Sequence, residues 1–376
     1  VPNLRFPNFY SDWEVKKLGE ISTNKSKKYN PNNETNFIKC IELEHLSSET
    51  GQLLGFVDGS QSGSIKNVFQ KGNVLFGKLR PYLKKYYQPN FDGVCSSEIW
   101  VLNGKEILND FLYYLIQTNS FVDLANQSSG SKMPRADWSI LENGLFSFPN
   151  SEEQQKIASF LSLIDERIQT QNKIIKGLKS LKIALAKKIF SQELRLKDDN
   201  GNDFSEWEED CLENVCDIKK GEQFNKEDLN EIGLYPCLNG GISPSGFSEK
   251  YNTDENTITI SEGGNSCGFV NFMKTKFWLG GHCYKILLFK KISLMYFYQL
   301  LKFNEQNVMN LRVGSGLPNI QMKSLKRFTI KISTSESEQT KIANFLSAID
   351  SKIDMENQLL QKLEEQKKYL LQNMFV

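Results

Sequence analysis

One stretch of this chain interleaves cations with aromatic rings: Lys78-Leu79-Arg80-Pro81-Tyr82-Leu83-Lys84-Lys85-Tyr86-Tyr87. Ammonium and guanidinium groups bind phosphate, a guanidinium fork can pair with a base edge, and tyrosine rings offer stacking faces. The proline and paired tyrosines suggest a shaped loop, although a solvated surface run has the same composition. A shorter basic run, Lys25-Ser26-Lys27-Lys28-Tyr29, reads more simply as solvated surface. A second kind of candidate is Ser128-Ser129-Gly130-Ser131-Lys132-Met133-Pro134-Arg135, with a later counterpart in Val313-Gly314-Ser315-Gly316-Leu317-Pro318-Asn319. Small residues before an apolar residue and a proline form tight loops whose backbone N–H groups can approach a phosphate. The plainer reading is a connection before a last strand.

Bond-making chemistry has little to work with. The only histidines, His45 and His282, are far apart and lack metal-ligand spacing. Lys78 follows Gly77, but Leu79 stands where a phosphate-binding loop needs Ser or Thr. Gly263-Gly264-Asn265-Ser266-Cys267-Gly268 is glycine-rich but off the dinucleotide pattern, and reads as a loop between strands.

The elements that must carry these loops are duplicated. Glu153-Gln154-Gln155-Lys156-Ile157-Ala158-Ser159-Phe160-Leu161-Ser162-Leu163-Ile164-Asp165 returns 185 positions later as Glu338-Gln339-Thr340-Lys341-Ile342-Ala343-Asn344-Phe345-Leu346-Ser347-Ala348-Ile349-Asp350. Without a gap, 16 of 38 positions from Glu153–Phe190 recur in Glu338–Phe375. Upstream, Trp13 and Leu18 answer to Trp207 and Leu212. Between these landmarks the likeness nearly vanishes, apart from the apolar runs Asn73–Phe76 and Thr257–Ile260. Shared frame and divergent interior imply an internal pseudo-twofold repeat. The expected segments are domain 1 at 1–150, a helical spacer at 151–195, domain 2 at 196–334 and a second spacer at 335–376.

Each domain should open on a Trp-containing turn and a short helix, Trp13–Ile21 or Trp207–Val215, and continue with strands at Phe37–Ile41, Asn73–Phe76, Glu98–Leu102, Thr257–Ile260, Gly268–Phe272 and Cys283–Phe289. Helices at Asn109–Thr118 and Ser293–Lys302 carry aromatic faces that read as core. In the spacers Ile157, Leu161, Ile164, Ile168, Ile175, Leu178 and Leu185 follow a heptad seam, repeated by Ile342, Leu346, Ile349, Ile353, Leu360, Leu363 and Leu370. Gln171 and Glu356 interrupt it at equivalent places. Ser151 and Ser335 are the expected N-caps, followed by acids that suit the helix dipole. So narrow a stripe fits one partner helix better than a broad core. Expected at that interface are Ile157, Leu161, Ile164, Ile168, Leu178, Ile342, Leu346, Ile349, Ile353 and Leu363. Antiparallel pairing within the chain is favoured, with homodimerisation through the helices as the alternative. The fold class is thus α+β: two tandem mixed α/β domains, each followed by a long helix, the helices packed as an antiparallel coiled coil.

With 376 residues, 39% hydrophobic and 24% charged, the chain can bury proper cores. No apolar run approaches the roughly 20 residues that cross a bilayer. The start lacks a signal-peptide pattern, and seven cysteines without a Cys-x-x-Cys point to buried thiols in a reducing cytoplasm. A net charge of +1 means that any nucleic-acid contact must be local.

Taken together, Arg5-Phe6-Pro7-Asn8-Phe9-Tyr10-Ser11-Asp12-Trp13, Leu196-Lys197-Asp198-Asp199-Asn200-Gly201-Asn202-Asp203-Phe204-Ser205-Glu206-Trp207 and the duplicated Glu-x-x-Lys-Ile-Ala-x-Phe-Leu-Ser-x-Ile-Asp motif resemble the specificity subunit of type I restriction–modification systems along the whole chain. The resemblance implies two target recognition domains, each reading one half of an asymmetric bipartite site in double-stranded DNA. It implies two docked DNA methylation subunits, with restriction and motor subunits beyond them, and no catalysis by this chain. By the same resemblance S-adenosylmethionine, ATP and magnesium are expected on those partners, and the methylated base is expected to be an adenine flipped into the partner's pocket. Expected DNA contacts are Lys78, Arg80, Tyr82, Lys84, Lys85, Ser129, Ser131, Lys132 and Arg135 in the first domain, and Asn265, Ser315, Asn319 and Gln321 in the second. Arg80→Ala should weaken binding to the cognate site at moderate salt, which a gel shift of the assembled methyltransferase measures. A coiled-coil scaffold or homodimeric interaction protein that never meets DNA is the alternative.

Overall fold

A computed structural model describes residues 2–33, 36–127, 133–225, 227, 229–289, 291–314 and 316–376. The chain forms two compact units, Val1–Asn172 with Gln358–Val376, and Lys173–Asn357. Each of the two long helices, Ser151–Phe190 and Glu336–Asn373, therefore gives one part of its length to each unit.

In the first unit a four-stranded sheet has the order Ser22–Thr23, Ile99–Gly104, Val74–Gly77, Tyr86–Tyr87. The run Val74-Leu75-Phe76 is buried throughout, as a central strand covered on both faces must be. Ile99 pairs with Gly77 and Leu102 with Val74. A five-stranded sheet, ordered Lys28–Tyr29, Lys66–Phe69, Gly93–Cys95, Lys39–Ile41, Val57–Asp58, packs beside it. The second unit repeats the four-stranded sheet as Cys216–Lys220, Cys283–Leu288, Thr257–Ser261, Val270–Met273, and has a three-stranded sheet in place of the five-stranded one.

The expected short opening helices form, but strand takes the place of the turn expected ahead of each. Glu14–Lys17 is a strand paired with Leu145–Phe148, and only Leu18–Ile21 is helical; Glu208–Cys211 pairs likewise with Thr329–Ile332 before the helix Leu212–Val215. Pairing with a partner far along the chain overrides local preference here. The aromatic helices form, as Asn109–Leu115 and Leu294–Phe303, with Phe111, Tyr296 and Phe297 wholly buried.

The long helices run antiparallel. In the first unit the start of the first helix packs with the end of the second, and Lys367 bonds Asp165 at 2.7 Å. In the second unit the end of the first packs with the start of the second, and Lys182 bonds Asp350 at 2.7 Å. The two ion pairs are equivalent under the 185-residue repeat. So are their supports: the Tyr114 hydroxyl donates to Asp165 at 3.0 Å, and the Gln299 amide donates to Asp350 at 2.8 Å. Burial and the Asp165 carboxylate push the Tyr114 phenol far up, so it stays a donor. Phe375 lies 5.1 Å from Phe111 and Phe190 lies 6.0 Å from Tyr296, again at equivalent places.

The seam is buried at Ile157, Leu161, Ile164, Ile175, Ile342, Leu346, Ile353, Leu363 and Leu370. Its first turns do more than pair with a helix, however. Ile157, Ala158 and Leu161 complete a core with Trp13, Leu18, Phe111 and Phe146, while Ile342, Ala343 and Leu346 do the same with Leu212, Tyr296 and Ile330. The first cap also differs from expectation. Asn150, one residue ahead of Ser151, accepts from the Glu153 N–H at 2.9 Å, whereas Ser335 caps the second helix as its sequence suggests.

The repeated Glu-Gln pair explains itself in this frame. Gln154 accepts from the Leu108 N–H and donates to the Pro149 carbonyl, both at 2.8 Å; Gln339 accepts from the Ser293 N–H and donates to the Ser333 carbonyl at the same distances. Each glutamine satisfies a backbone donor at the start of an aromatic helix and so fastens a long helix to its domain. The preceding acids are buried as well: Glu153 takes the Arg5 guanidinium, and Glu338 takes the Trp207 indole N–H and the Ser333 hydroxyl.

Candidate nucleic-acid interface

Of the residues singled out in the first domain, those at Lys78–Lys85 and Arg135 meet at one place. Beyond strand Val74–Gly77 the chain turns through Lys78–Lys85, and the segment Pro134–Ala136 runs against it. The Arg80 N–H donates to the Pro134 carbonyl and the Ala136 N–H to the Lys78 carbonyl, both at 2.8 Å. On the other side the Lys78 N–H donates to Glu98 at 2.9 Å, and the Gly77 N–H to Lys85 at 2.8 Å. Leu83 closes the turn on the Arg80 carbonyl at 2.9 Å.

The second domain builds the same ladder 184 positions later. The Gly264 N–H donates to Pro318 at 3.0 Å, Ile320 to Glu262 at 2.8 Å and Glu262 to His282 at 2.8 Å. Ser261 donates to Phe269 at 3.0 Å and Cys267 to Gly264 at 3.1 Å. Leu79 bridges Arg135, and Gly263 bridges Asn319. Even the left-handed positions coincide: Arg80 (φ 53°) with Gly264 (φ 77°), and Lys84 (φ 46°) with Gly268 (φ 91°). One backbone frame therefore carries two sets of side chains.

In the first set Arg80 and Tyr82 are exposed. Among the described residues neither Arg80, Lys78 nor Lys84 has an ion-pair partner. Arg135 is tied to Glu98 at 3.0 Å, and the Lys85 ammonium donates inward to the Leu43 carbonyl at 2.9 Å, so these two are committed to holding the loop. In the second set Asn265, Asn319 and Gln321 are exposed, and Glu262 occupies the place of Lys78. Lys220 holds the Glu262 carboxylate at 2.7 Å, and the Tyr284 hydroxyl lies 2.9 Å from it and 3.0 Å from the Ile320 carbonyl. Burial, reinforced by Glu262, raises the Tyr284 phenol, which keeps its proton.

Ser129, Ser131, Lys132 and Ser315 lie outside the described residues. Glu98, Glu262, Lys220 and His282 were missed from sequence. His282 takes the place of Glu98 and stands 3.9 Å from Glu262, a role with no metal-like spacing to betray it.

Two copies of one frame, each displaying its own polar side chains, define an internally duplicated protein. The chain belongs to the family of the type I restriction modification DNA specificity domain, whose model matches residues 10–180 and 204–365. It is 34% identical over 150 residues to a type I specificity subunit of Mycoplasma genitalium, covering 39% of this chain and 39% of that protein. It is 26% identical over 421 residues to the specificity subunit of the type I restriction enzyme MjaVIII of Methanocaldococcus jannaschii, covering 98% and 92%. The first relative is thus matched over about two-fifths of its length, the second over nearly all. The crystal structure of the type I restriction–modification S subunit from M. genitalium superposes with a TM-score of 0.63 at 20% identity, covering 100% of this chain and 99% of that one, and shares the fold.

Proposed function

We propose that the chain is the non-catalytic specificity subunit of a type I restriction–modification enzyme. Its two domains read the halves of a bipartite, asymmetric site in double-stranded DNA, and two adenine methylation subunits dock on it, followed by restriction and motor subunits. S-adenosylmethionine, ATP and magnesium then belong to those partners. The observation that carries this reading is the matched backbone ladder bearing Lys78, Arg80 and Arg135 in one domain and Glu262, Gly264 and Asn319 in the other. A scaffold has no use for one frame with two different polar displays, whereas a reader of two unlike sequences needs it. Among the described residues no helix is long and apolar enough to cross a membrane.

The test is to map methylated adenines in a host carrying this chain with its methylation subunits, then to exchange residues 257–327 for those of a relative with another target. One half of the methylated motif should change and the other should persist. A motif altered in both halves, or in neither, rejects the reading. Light scattering of the chain alone and then mixed with a methylation subunit separates it from the homodimeric scaffold.

A further inference from the structure

Left-handed backbone suits glycine and costs a residue with a Cβ, yet at two equivalent turns the domains made opposite choices. The second has Gly264 and Gly268; the first has Arg80 and Lys84. The frame does not require a side chain at Arg80, because the bonds that hold the turn there use its N–H and carbonyl alone. Nor is the guanidinium committed elsewhere, since it is exposed and meets no partner among the described residues. Strain retained at a place where glycine serves the twin domain marks a side chain kept for contact with something outside the chain.

We propose that Arg80 is a specificity-determining residue that reads guanine in the half-site bound by the first domain, an inference that rests on the DNA-reading function above. A guanidinium presents two parallel donors to the N7 and O6 acceptors of guanine in the major groove. Lys78 and Lys84, on either side and also without an ion-pair partner among the described residues, supply charge for the flanking phosphates. Gly264 leaves the matching position of the second half-site unread: a Cβ added there would meet no atom within 4 Å, so the silence comes from the missing side chain and not from lack of room.

The experiment uses the assembled methyltransferase and a duplex carrying the motif mapped in the host, with 7-deazaguanine replacing guanine in one half at a time. Wild type should lose about tenfold or more when the half read by the first domain is altered. Arg80→Gly copies the residue of the second domain and relieves the left-handed turn, so the fold is kept. It should bind the ordinary duplex about tenfold less tightly and be indifferent to 7-deazaguanine in that same half. An Arg80→Gly complex that still responds to the altered base in each half, or a first half-site without guanine, overturns the assignment, and a uniform loss on all duplexes makes Arg80 a phosphate contact instead. A wild-type complex with no preferred motif would sink the function itself, which is a different result.

Discussion

Phe111→Ala is expected to lower the stability of the first unit by about 3–5 kcal/mol, the usual cost of removing a wholly buried phenylalanine. The ring has no exposed surface and sits between Trp13, 6.4 Å away, and Phe375 at 5.1 Å. It joins three stretches remote in sequence: the opening turn, the aromatic helix and the end of the second long helix. Alanine leaves a void that none of them can close alone. A lower urea midpoint, with amide exchange accelerated at Leu161 and Leu370, would check it; a shift under about 1 kcal/mol would mean that the three elements do not meet as described. The equivalent Tyr296 also accepts a hydrogen bond from the Ser333 N–H at 3.0 Å, so Tyr296→Phe should cost roughly 1 kcal/mol in the second unit.

Lys367→Met should have the next largest effect. Its ammonium and the Asp165 carboxylate are only 11% and 19% exposed, and removal of the cation leaves the carboxylate with the Tyr114 hydroxyl as its remaining side-chain partner among the described residues. Breaking a buried pair costs about 3–5 kcal/mol, and the remaining access to water reduces this to about 2–3 kcal/mol. Adding Asp165→Leu should restore at least half of the loss, because an apolar pair no longer strands a charge. Lys182→Met acts on the twin pair, where Asp350 is 35% exposed, and should cost less. Unfolding curves of the three variants decide the matter; a double variant less stable than Lys367→Met would contradict the account.

The repeated segments revealed much of this architecture before any coordinates. The recurrence of Gln154 as Gln339, Asp165 as Asp350, Lys182 as Lys367 and Phe190 as Phe375 is now explained, since each pair makes the same contact in its own unit. The apolar runs Asn73–Phe76 and Thr257–Ile260 supply the central strands of the matching sheets. What sequence hid was held by backbone. The opening strand Glu14–Lys17 owes its form to Leu145–Phe148, more than a hundred residues away, and nothing local announces it. The glycine-rich loop after Ser261 looked unlike Lys78–Lys85 because the two share dihedral angles and carbonyl acceptors but scarcely a side chain. Residue types were the only signal available, and at the interface they are what differs.

Because the five bonds that hold each turn run from amide to carbonyl, substitution of an exposed side chain such as Arg80 or Asn265 leaves those bonds in place, whereas Arg135, Lys85 and Glu262 also hold their turns through their side chains. On the function proposed above, heritable drift at such exposed positions redirects either half of the protein one letter at a time while the backbone frame persists.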